Sequence, residues 1–134
     1  MGSKNDVYDA FINIPKVKAW SQNSLKYSPE SKGSQNMMKD TSFELFGGNV
    51  CGTFTKLEPN ERIEMNWRLK QWKPGHFSTA SLEFENADNG TKVKLSQKSV
   101  PAEFTANTLE GWKRYYFQAI KQTLGMAGGF GGLF

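Results

Sequence analysis

The residues able to perform acid–base or nucleophilic chemistry are few and far apart in this sequence. His76 is the only histidine and Cys51 is the only cysteine. A Ser–His or Cys–His hydrolase would have to work through His76, which follows a Pro–Gly turn at the edge of a predicted strand. One histidine and one cysteine in different strands cannot supply the four ligands of a zinc site. We therefore expect no catalytic residue, no metal site and no cofactor, and we interpret His76 as a turn residue.

The carboxylates and the glycine-rich C-terminus also lack the pattern of a reaction centre. Cys51 has no neighbouring base in its strand that would lower the pKa of its thiol. The stretch GMAGGFGGLF, residues 125–134, follows a helix and lacks the Gly-Lys-Ser/Thr ending of a phosphate loop. We interpret it as a flexible tail in which three apolar residues are candidates for docking on a partner or a second copy: Phe130, Leu133 and Phe134. The acids of the central strands occupy turn or outward positions, where solvated carboxylates are expected: Glu58, Glu61, Glu64, Glu83 and Glu85.

The stretch MNWRLKQWKPGHF, residues 65–77, is the best candidate for a partner contact. By strand alternation, Arg68 and Lys70 point outward, and Lys73 lies in the following turn together with Trp72 and His76. Tryptophan and arginine are enriched at interface hot spots. Two interpretations of Trp72 stay open: it is an exposed anchor, or it folds back over the sheet edge. The sequence therefore predicts a basic contact patch of five residues and no chemistry of its own.

Composition limits the class of protein further. The 134 residues suit one domain, and an aromatic content of 13% allows a substantial core. Acidic and basic residues are interspersed, with a net charge of +4, which is not the concentrated basic face of a nucleic-acid binder. No window has the ~20 apolar residues of a membrane span, and the N-terminus lacks the apolar run of a signal peptide. With a single cysteine, these features predict a cytoplasmic protein that binds neither nucleic acid nor membrane.

The elements that position these residues can be traced from the changing hydrophobic period. Helical spacing predicts a first helix from Ser3 to Ile12, capped by Ser3 with Asp6 in its first turn, and a second from Pro15 to Trp20. The polar segment SPESKGSQNMMKD predicts a mobile loop. From Thr41 the period is two, and turn signals separate strands that each have one polar face. These features predict a run of antiparallel strands joined by hairpins.

After Pro101 the period returns to 3.6, which predicts a helix capped by Asn107 or Thr108 and ending near Leu124. Its apolar stripe comprises Leu109, Trp112, Tyr116, Ile120 and Leu124, with Phe117 and Ala119 at the margins. A one-sided sheet needs a cover, and this helix is large enough to provide it. The predicted fold class is α+β, a curved antiparallel sheet around a long C-terminal helix. Six residues are predicted between sheet and helix, either as filled core, which we favour, or as the lining of a cavity: Met65, Trp67, Phe84, Trp112, Tyr116 and Ile120.

Four segments resemble one known family. They are GNVCGTFTKLEP at 48–59, MNWRLKQWKPGHFSTASLEF at 65–84, NGTKVKLSQKSVP at 89–101 and GWKRYYFQAIKQTLG at 111–125. In order and spacing they are similar to the C-terminal domain of the activator of the heat-shock protein 90 ATPase, an Aha-type co-chaperone. The final Leu133-Phe134 also resembles that family's ending. The resemblance runs from about Asp6 to Phe134, so the chain is predicted to be one such domain over residues 1–134.

The resemblance implies a helix-grip fold, START-like and Bet v 1-like, and a co-chaperone function. It implies heat-shock protein 90 as partner, contacted at its N-terminal nucleotide-binding domains, and a mechanism that favours the closed chaperone. Family members also carry a separate N-terminal domain that binds the chaperone's middle domain, and a strand ahead of the first helix. Neither is recognisable in these 134 residues. The alternative function is that of a START-like carrier, which would hold a lipid or another apolar small molecule between sheet and C-terminal helix.

Overall fold

The chain begins with two short helices that share Asn13 as a capping residue, the C-cap of the first and the N-cap of the second. The computed structural model describes residues 3–29, 34–88 and 90–124, and the backbone of 128–133. Helix α1 spans Lys4–Ile12 and helix α2 spans Ile14–Trp20. As predicted, the Ser3 hydroxyl accepts a hydrogen bond from the Asp6 amide, and the Asp6 carboxylate accepts one from the Ser3 amide. This reciprocal pair satisfies two amides that the first turn of a helix leaves unbonded.

The strands form one sheet in which each strand lies beside its neighbour in sequence. The first six are antiparallel, as the hairpin signals predicted, and the seventh runs parallel to the sixth. The short first strand was not predicted. The bounds are β1 Lys26–Ser28, β2 Ser42–Leu45, β3 Val50–Glu58, β4 Arg62–Leu69, β5 Ser78–Ala87, β6 Gly90–Lys98 and β7 Gly128–Leu133.

Close packing at the middle of the sheet depends on Gly52 in β3. A Cβ atom at this position would collide with the carbonyl oxygen of Asn66 on β4 and would lie 2.9 Å from the Phe43 ring on β2. The pairing of β3 with β4 is irregular between Phe54 and Lys56, where the register shifts. Such a bulge bends the strand on which it lies, and it contributes to the curvature of the sheet around its cover.

The segment between α2 and β2 is more ordered than the sequence predicted. Residues 30–33 of the predicted mobile loop lie outside the described residues. Beyond them, Asn36 forms a β-bridge with Asn13, and the amide of Met37 donates a hydrogen bond to the carbonyl of Ile12 at 2.8 Å. The Met37 side chain is buried in the core. A flexible thioether fills irregular gaps between larger side chains, so this part of the loop belongs to the packed structure.

The C-terminal helix, residues 102–124, begins earlier than the sequence predicted. A 3-10 turn, Ala102–Phe104, follows Pro101 and leads into α3, Thr105–Gly111. The predicted caps Asn107 and Thr108 therefore lie inside the helix. The next segment, Trp112–Gln118, is a π-helix, and α4, Ala119–Leu124, ends where the sequence predicted.

The π-helical segment changes which side chains face the sheet. Its wider turn places residues five apart on one side, and the Trp112 and Phe117 rings lie 5.8 Å apart. Phe117 was predicted at the margin of the stripe and is buried, whereas Leu109 and Leu124 are only half-buried. Within 3–29, 34–88 and 90–124, no helix is long and apolar enough to cross a membrane.

The glycine-rich C-terminus departs from the prediction of a flexible tail. The backbone of Gly128–Leu133 forms β7, which pairs with β6 from Thr91 to Ser96. Residues 125–127 and 134 of the predicted tail lie outside the described residues. The physical reason is that β6 would otherwise end the sheet with unpaired backbone groups. The predicted docking of Phe130, Leu133 and Phe134 stays a prediction, because their side chains are not described.

The core lies between the curved sheet and the helices. All six residues predicted there are buried, and the central ones are tryptophans and tyrosines from the sheet and the C-terminal helix. Trp112 stacks on Tyr116 with ring centroids 4.0 Å apart and on Trp67 at 5.3 Å. Trp20 of α2 completes the group, 5.1 Å from Tyr116. These contacts join the two ends of the chain through one aromatic cluster.

Candidate functional site

The candidate site is built on the alternation of β4. Trp67 points into the core, and Arg68, the next residue, points away from it. The strand ends at Leu69, and the basic turn, residues 70–77, leads to β5. In this turn Gly75 has a φ of +81°, a left-handed conformation that favours glycine. The turn therefore carries the predicted contact patch at one end of the sheet.

Arg68 folds over the basic turn and fixes its backbone. Its guanidinium donates a hydrogen bond to the carbonyl of Trp72 at 2.8 Å and another to the carbonyl of Lys73 at 3.3 Å. It also lies over the Phe77 ring, 5.7 Å from the ring centroid, within the range of a cation–π interaction. Because these carbonyl groups carry no net charge, the hydrogen bonds do not neutralise the guanidinium, and its positive charge remains at the turn. Arg68 thus acts first as a brace for the turn, a role that strand alternation alone could not reveal.

Trp72 is buried, and the interpretation of an exposed anchor is wrong. Only 2% of its surface is exposed, and its ring packs edge-on against Trp67 and against His76, with centroids 5.8 Å away in both cases. A large apolar ring at the sheet edge is more stable against another indole than in water. Trp72 therefore supports the turn from below and offers no surface to a partner.

His76 ties the turn to the end of β6. Its Nε2 donates a hydrogen bond to the carbonyl of Ser99 at 2.7 Å, and its amide donates one to the carbonyl of Lys73 at 3.0 Å. A ring nitrogen bonded to a carbonyl carries the proton and is no base. The prediction that His76 is a structural turn residue agrees with these contacts.

The accessible part of the basic turn is thus smaller than predicted. Of the five predicted contact residues, Lys70 and Lys73 are exposed and Trp72 is buried. Arg68 and His76 are partly exposed; the Arg68 side chain is bonded to the turn's own backbone and the His76 side chain to the carbonyl of Ser99. Phe77, which was not singled out for contact, is 44% exposed. Lys70, Lys73 and the Phe77 ring are therefore the charged and aromatic groups that this turn presents to a partner, beside the exposed Gln71 and Pro74.

A cleft of about 280 Å³ adjoins the turn, between it and the C-terminal helix. Its floor is formed by Trp67 and Tyr116. The indole Nε1 of Trp67 donates a hydrogen bond to the phenol oxygen of Tyr116 at 3.1 Å. Phe46 and Tyr115 form one wall, with ring centroids 5.6 Å apart, and Tyr115 is 52% exposed. Burial raises the pKa of the Tyr116 phenol, so it stays neutral and is a hydrogen-bonding group only. The cleft is also lined by polar side chains, among them Asn49, Lys70, Gln71 and Asn107.

The sequence missed this cleft because its walls are distant in the chain. Phe46 lies in the turn between β2 and β3, with a positive φ of 55°, and Tyr115 is adjacent to the buried Tyr116 on the C-terminal helix. The only local signal is an aromatic residue in a turn and another off the apolar stripe. Neither signal identifies the other as its neighbour.

Among the residues that the structure describes, the cavity enclosed by core side chains is too small for a carried ligand. The cavity between the sheet and the helices has a volume of about 20 Å³ and is lined by apolar and aromatic side chains, including Trp20, Met65 and Tyr116. About 10–15 Å³ is the minimum that holds one water molecule, and a lipid chain needs many times this space. The interpretation of these residues as filled core therefore agrees with the structure, and the carrier function is not favoured.

The described residues also lack a cluster of side chains that could hold a metal ion. In this part of the chain, no three histidine, cysteine, aspartate or glutamate side chains are grouped to hold a metal ion. Burial raises the pKa of the Cys51 thiol, with a smaller opposing effect of Arg68, so it is less reactive than an ordinary cysteine.

Comparison with known proteins identifies the family. The family model described as "Activator of Hsp90 ATPase homolog 1-like protein" matches residues 2–125. The chain belongs to this family. It is 43% identical over 123 residues to the human "Activator of 90 kDa heat shock protein ATPase homolog 1", and 24% identical over 123 residues to the "Hsp90 co-chaperone AHA1" of Saccharomyces cerevisiae. These matches cover 92% and 90% of this chain, and 34% of each relative.

This member of the activator family therefore spans about a third of the length of the curated relatives that it matches. Solved structures confirm its fold. An HSP90 activator from Plasmodium falciparum superposes with a TM-score of 0.70 at 19% identity, covering 92% of this chain and 89% of that one. The Aha1 dimer from Colwellia psychrerythraea gives 0.62 at 18% identity, covering 91% and 88%. The predicted α+β helix-grip fold and the family resemblance are both confirmed.

Proposed function

We propose that this domain binds heat-shock protein 90 as a co-chaperone module and supports stimulation of its ATPase. The observation that carries the proposal is the 43% identity to the human activator of the 90 kDa heat-shock protein ATPase over 92% of this chain. An activator raises the rate of its partner's reaction and needs no reaction centre of its own. The cytoplasm, where a chain with a single cysteine stays reduced, is the proposed compartment.

The proposed mechanism is a shift in the chaperone's conformational equilibrium. A ligand shifts an equilibrium only by its differential affinity for the two states. We propose that the domain binds the N-terminal nucleotide-binding domains and prefers the closed chaperone. Where closure limits hydrolysis, such binding raises the rate without a catalytic group from this chain.

The proposed contact surface is the exposed part of the basic turn together with the adjoining cleft. Lys70 and Lys73 attract an acidic patch, and the half-exposed rings of Phe77 and Tyr115 provide apolar contact. The brace formed by Arg68 holds the turn in one conformation. A surface ordered before binding loses less entropy when the complex forms, so this arrangement suits a contact between proteins.

Charge reversal tests this surface. We expect Lys70→Glu with Lys73→Glu to weaken binding to heat-shock protein 90 about tenfold, or about 1.4 kcal/mol, and to reduce its salt dependence. The matched control is Lys18→Glu with Lys121→Glu, which makes the same change in net charge at exposed positions on α2 and α4. Binding is measured by fluorescence anisotropy of labelled chain. Equal weakening by both double variants would mean that net charge matters and that the basic turn is not the contact.

A further inference from the structure

The outer edge of β6 is one of the two edges of the antiparallel part of the sheet, and β1 forms the other. Each strand of an antiparallel sheet directs half of its backbone N–H and C=O groups to either side. On one side, β6 pairs with β5 from Thr79↔Lys98 to Ala87↔Gly90. On the other side, within the described residues, it is covered by β7 from Thr91 to Ser96. The backbone groups on this side of β6 are therefore hydrogen-bonded only while β7, residues 128–133, stays in place.

Strand β7 is a weak cover for this edge. Four of its six residues are glycine, which has a low preference for strands because it loses much backbone freedom and brings no side chain. Pairs of side chains across two strands stabilise a sheet, and glycine supplies none. The pairing is also parallel, which is less stable per residue than antiparallel pairing. A segment with side chains at these positions would compete well with β7.

The charges of β6 indicate which segment fits. Lys92, Lys94 and Lys98 lie on the outward face of the strand at alternate positions, with Ser96 between them. Lys94 is paired with Glu85 at 3.1 Å, whereas Lys92 and Lys98 are exposed and have no ion pair among the described residues. Two copies of this chain joined edge to edge would place these lysine rows side by side, and like charges on neighbouring strands are destabilising. Carboxylates at alternate positions would instead lie beside the lysines.

We propose that the outer edge of β6 is a second interaction surface, which accepts an extended partner segment with acidic side chains at alternate positions. In the absence of such a segment, the glycine-rich β7 occupies the edge and shields its backbone groups. The partner adds a strand to the sheet and displaces β7. This surface is separate from the basic turn, and the proposal does not depend on the proposed binding of heat-shock protein 90.

A synthetic strand tests the proposal directly. The probe is a fluorescein-labelled nine-residue peptide with glutamate at every second position and threonine or valine between. The test variant is Gly129→Pro with Gly132→Pro. Because these positions have opposite parity, at least one substitution removes an N–H that faces β6. If β7 covers the edge nine-tenths of the time, the variant binds the peptide about tenfold more tightly than the unchanged chain. Equal affinity for both chains would overturn the displacement of β7.

Further variants and peptides test whether binding depends on the lysines of β6 and on the extended conformation of the peptide. Adding Lys92→Glu and Lys98→Glu to the proline variant should weaken peptide binding at least tenfold, and a peptide with lysine in place of glutamate, or with a central proline, should not bind. Peptide binding that is unaffected by these changes would contradict the proposal that the partner is an extended segment with acidic side chains. A proline variant that forms dimers in sedimentation would identify a second copy as the occupant, which also contradicts the proposal.

A second measurement uses the unchanged chain and needs no substitution. Amide hydrogen exchange is followed in Gly128–Leu133 and in Gly90–Lys98 with and without saturating acidic peptide. We expect exchange in the tail to accelerate as β7 leaves the edge, while β6 stays protected by the peptide. Unchanged exchange in the tail at saturation would mean that the peptide binds elsewhere and would overturn the proposal, even where the proline variant fails to fold.

Discussion

Replacing Trp112 by alanine should remove about 3–5 kcal/mol from the free energy of unfolding. The side chain is completely buried, and substitutions of this kind in cores have costs in that range. Its stacking on Tyr116 and Trp67 adds roughly 0.5–1.5 kcal/mol for each ring pair. In the opposite direction, its indole Nε1 has no hydrogen-bond partner within the described residues, and a buried unpaired donor costs about 1–3 kcal/mol. These two contributions nearly cancel, so the estimate for the bare truncation stands.

The assay is urea unfolding followed by far-UV circular dichroism, because the substitution removes a fluorophore. Trp112→Phe is the matched control. It keeps a ring in the stack and removes the unpaired N–H, so we expect it to destabilise the fold clearly less than Trp112→Ala does. Tyr115→Ala, on the same helix but 52% exposed, should cost less than about 1 kcal/mol. If Trp112→Ala is as mild as Tyr115→Ala, the apolar stripe does not face the sheet and the helix-grip arrangement is refuted.

Three further predictions concern close packing, the basic turn and pH. Gly52→Ala should destabilise the fold by about 3 kcal/mol or more, since the new methyl meets the backbone oxygen of Asn66; a melting temperature unchanged by the substitution would contradict this packing. Arg68→Ala should change stability by only about 1 kcal/mol but accelerate amide exchange across residues 70–77, because the carbonyls that it braces are released; unaltered exchange would show that the turn needs no brace. Burial raises the pKa of Tyr8 from 10.0 to about 12 and that of Tyr116 further in the same direction, so the unfolded chain loses these protons first. The stability that these two phenols contribute should therefore be fully present below about pH 10 and be lost progressively as pH rises above it, and urea midpoints that stay level between pH 10 and 11.5 would contradict the burial of both phenols.

Much of the sheet could be predicted because its strands alternate clearly. In β4, the alternation of apolar and polar residues placed Met65 and Trp67 inside and Arg68 outside, as observed. Strand β1 was missed, since the three residues Lys26–Ser28 are too few to show a period. The C-terminal helix was predicted with a period of 3.6, and the π-helical segment rotates Phe117 into the core in a way that this period cannot anticipate.

The candidate site was only partly predictable, because its form depends on tertiary contacts. The position of Trp72 in a basic turn was equally compatible with exposure and burial. Trp72 is buried because its ring packs edge-on against Trp67, a contact that the sequence does not show. Arg68 was correctly placed outside, but its bonds to the carbonyls of the turn depend on the path of the turn itself. The cleft wall joins Phe46 to Tyr115, two residues whose contact no local pattern encodes.

We propose that this domain binds heat-shock protein 90 and prefers its closed state. The most direct test is a titration of fluorescently labelled chain with heat-shock protein 90, performed with and without a non-hydrolysable ATP analogue. We expect saturable binding that weakens as salt rises and that is at least tenfold tighter with the analogue, since only differential affinity shifts an equilibrium. Absence of binding in both conditions would contradict the co-chaperone function, and equal affinity in both would contradict the preference for the closed state.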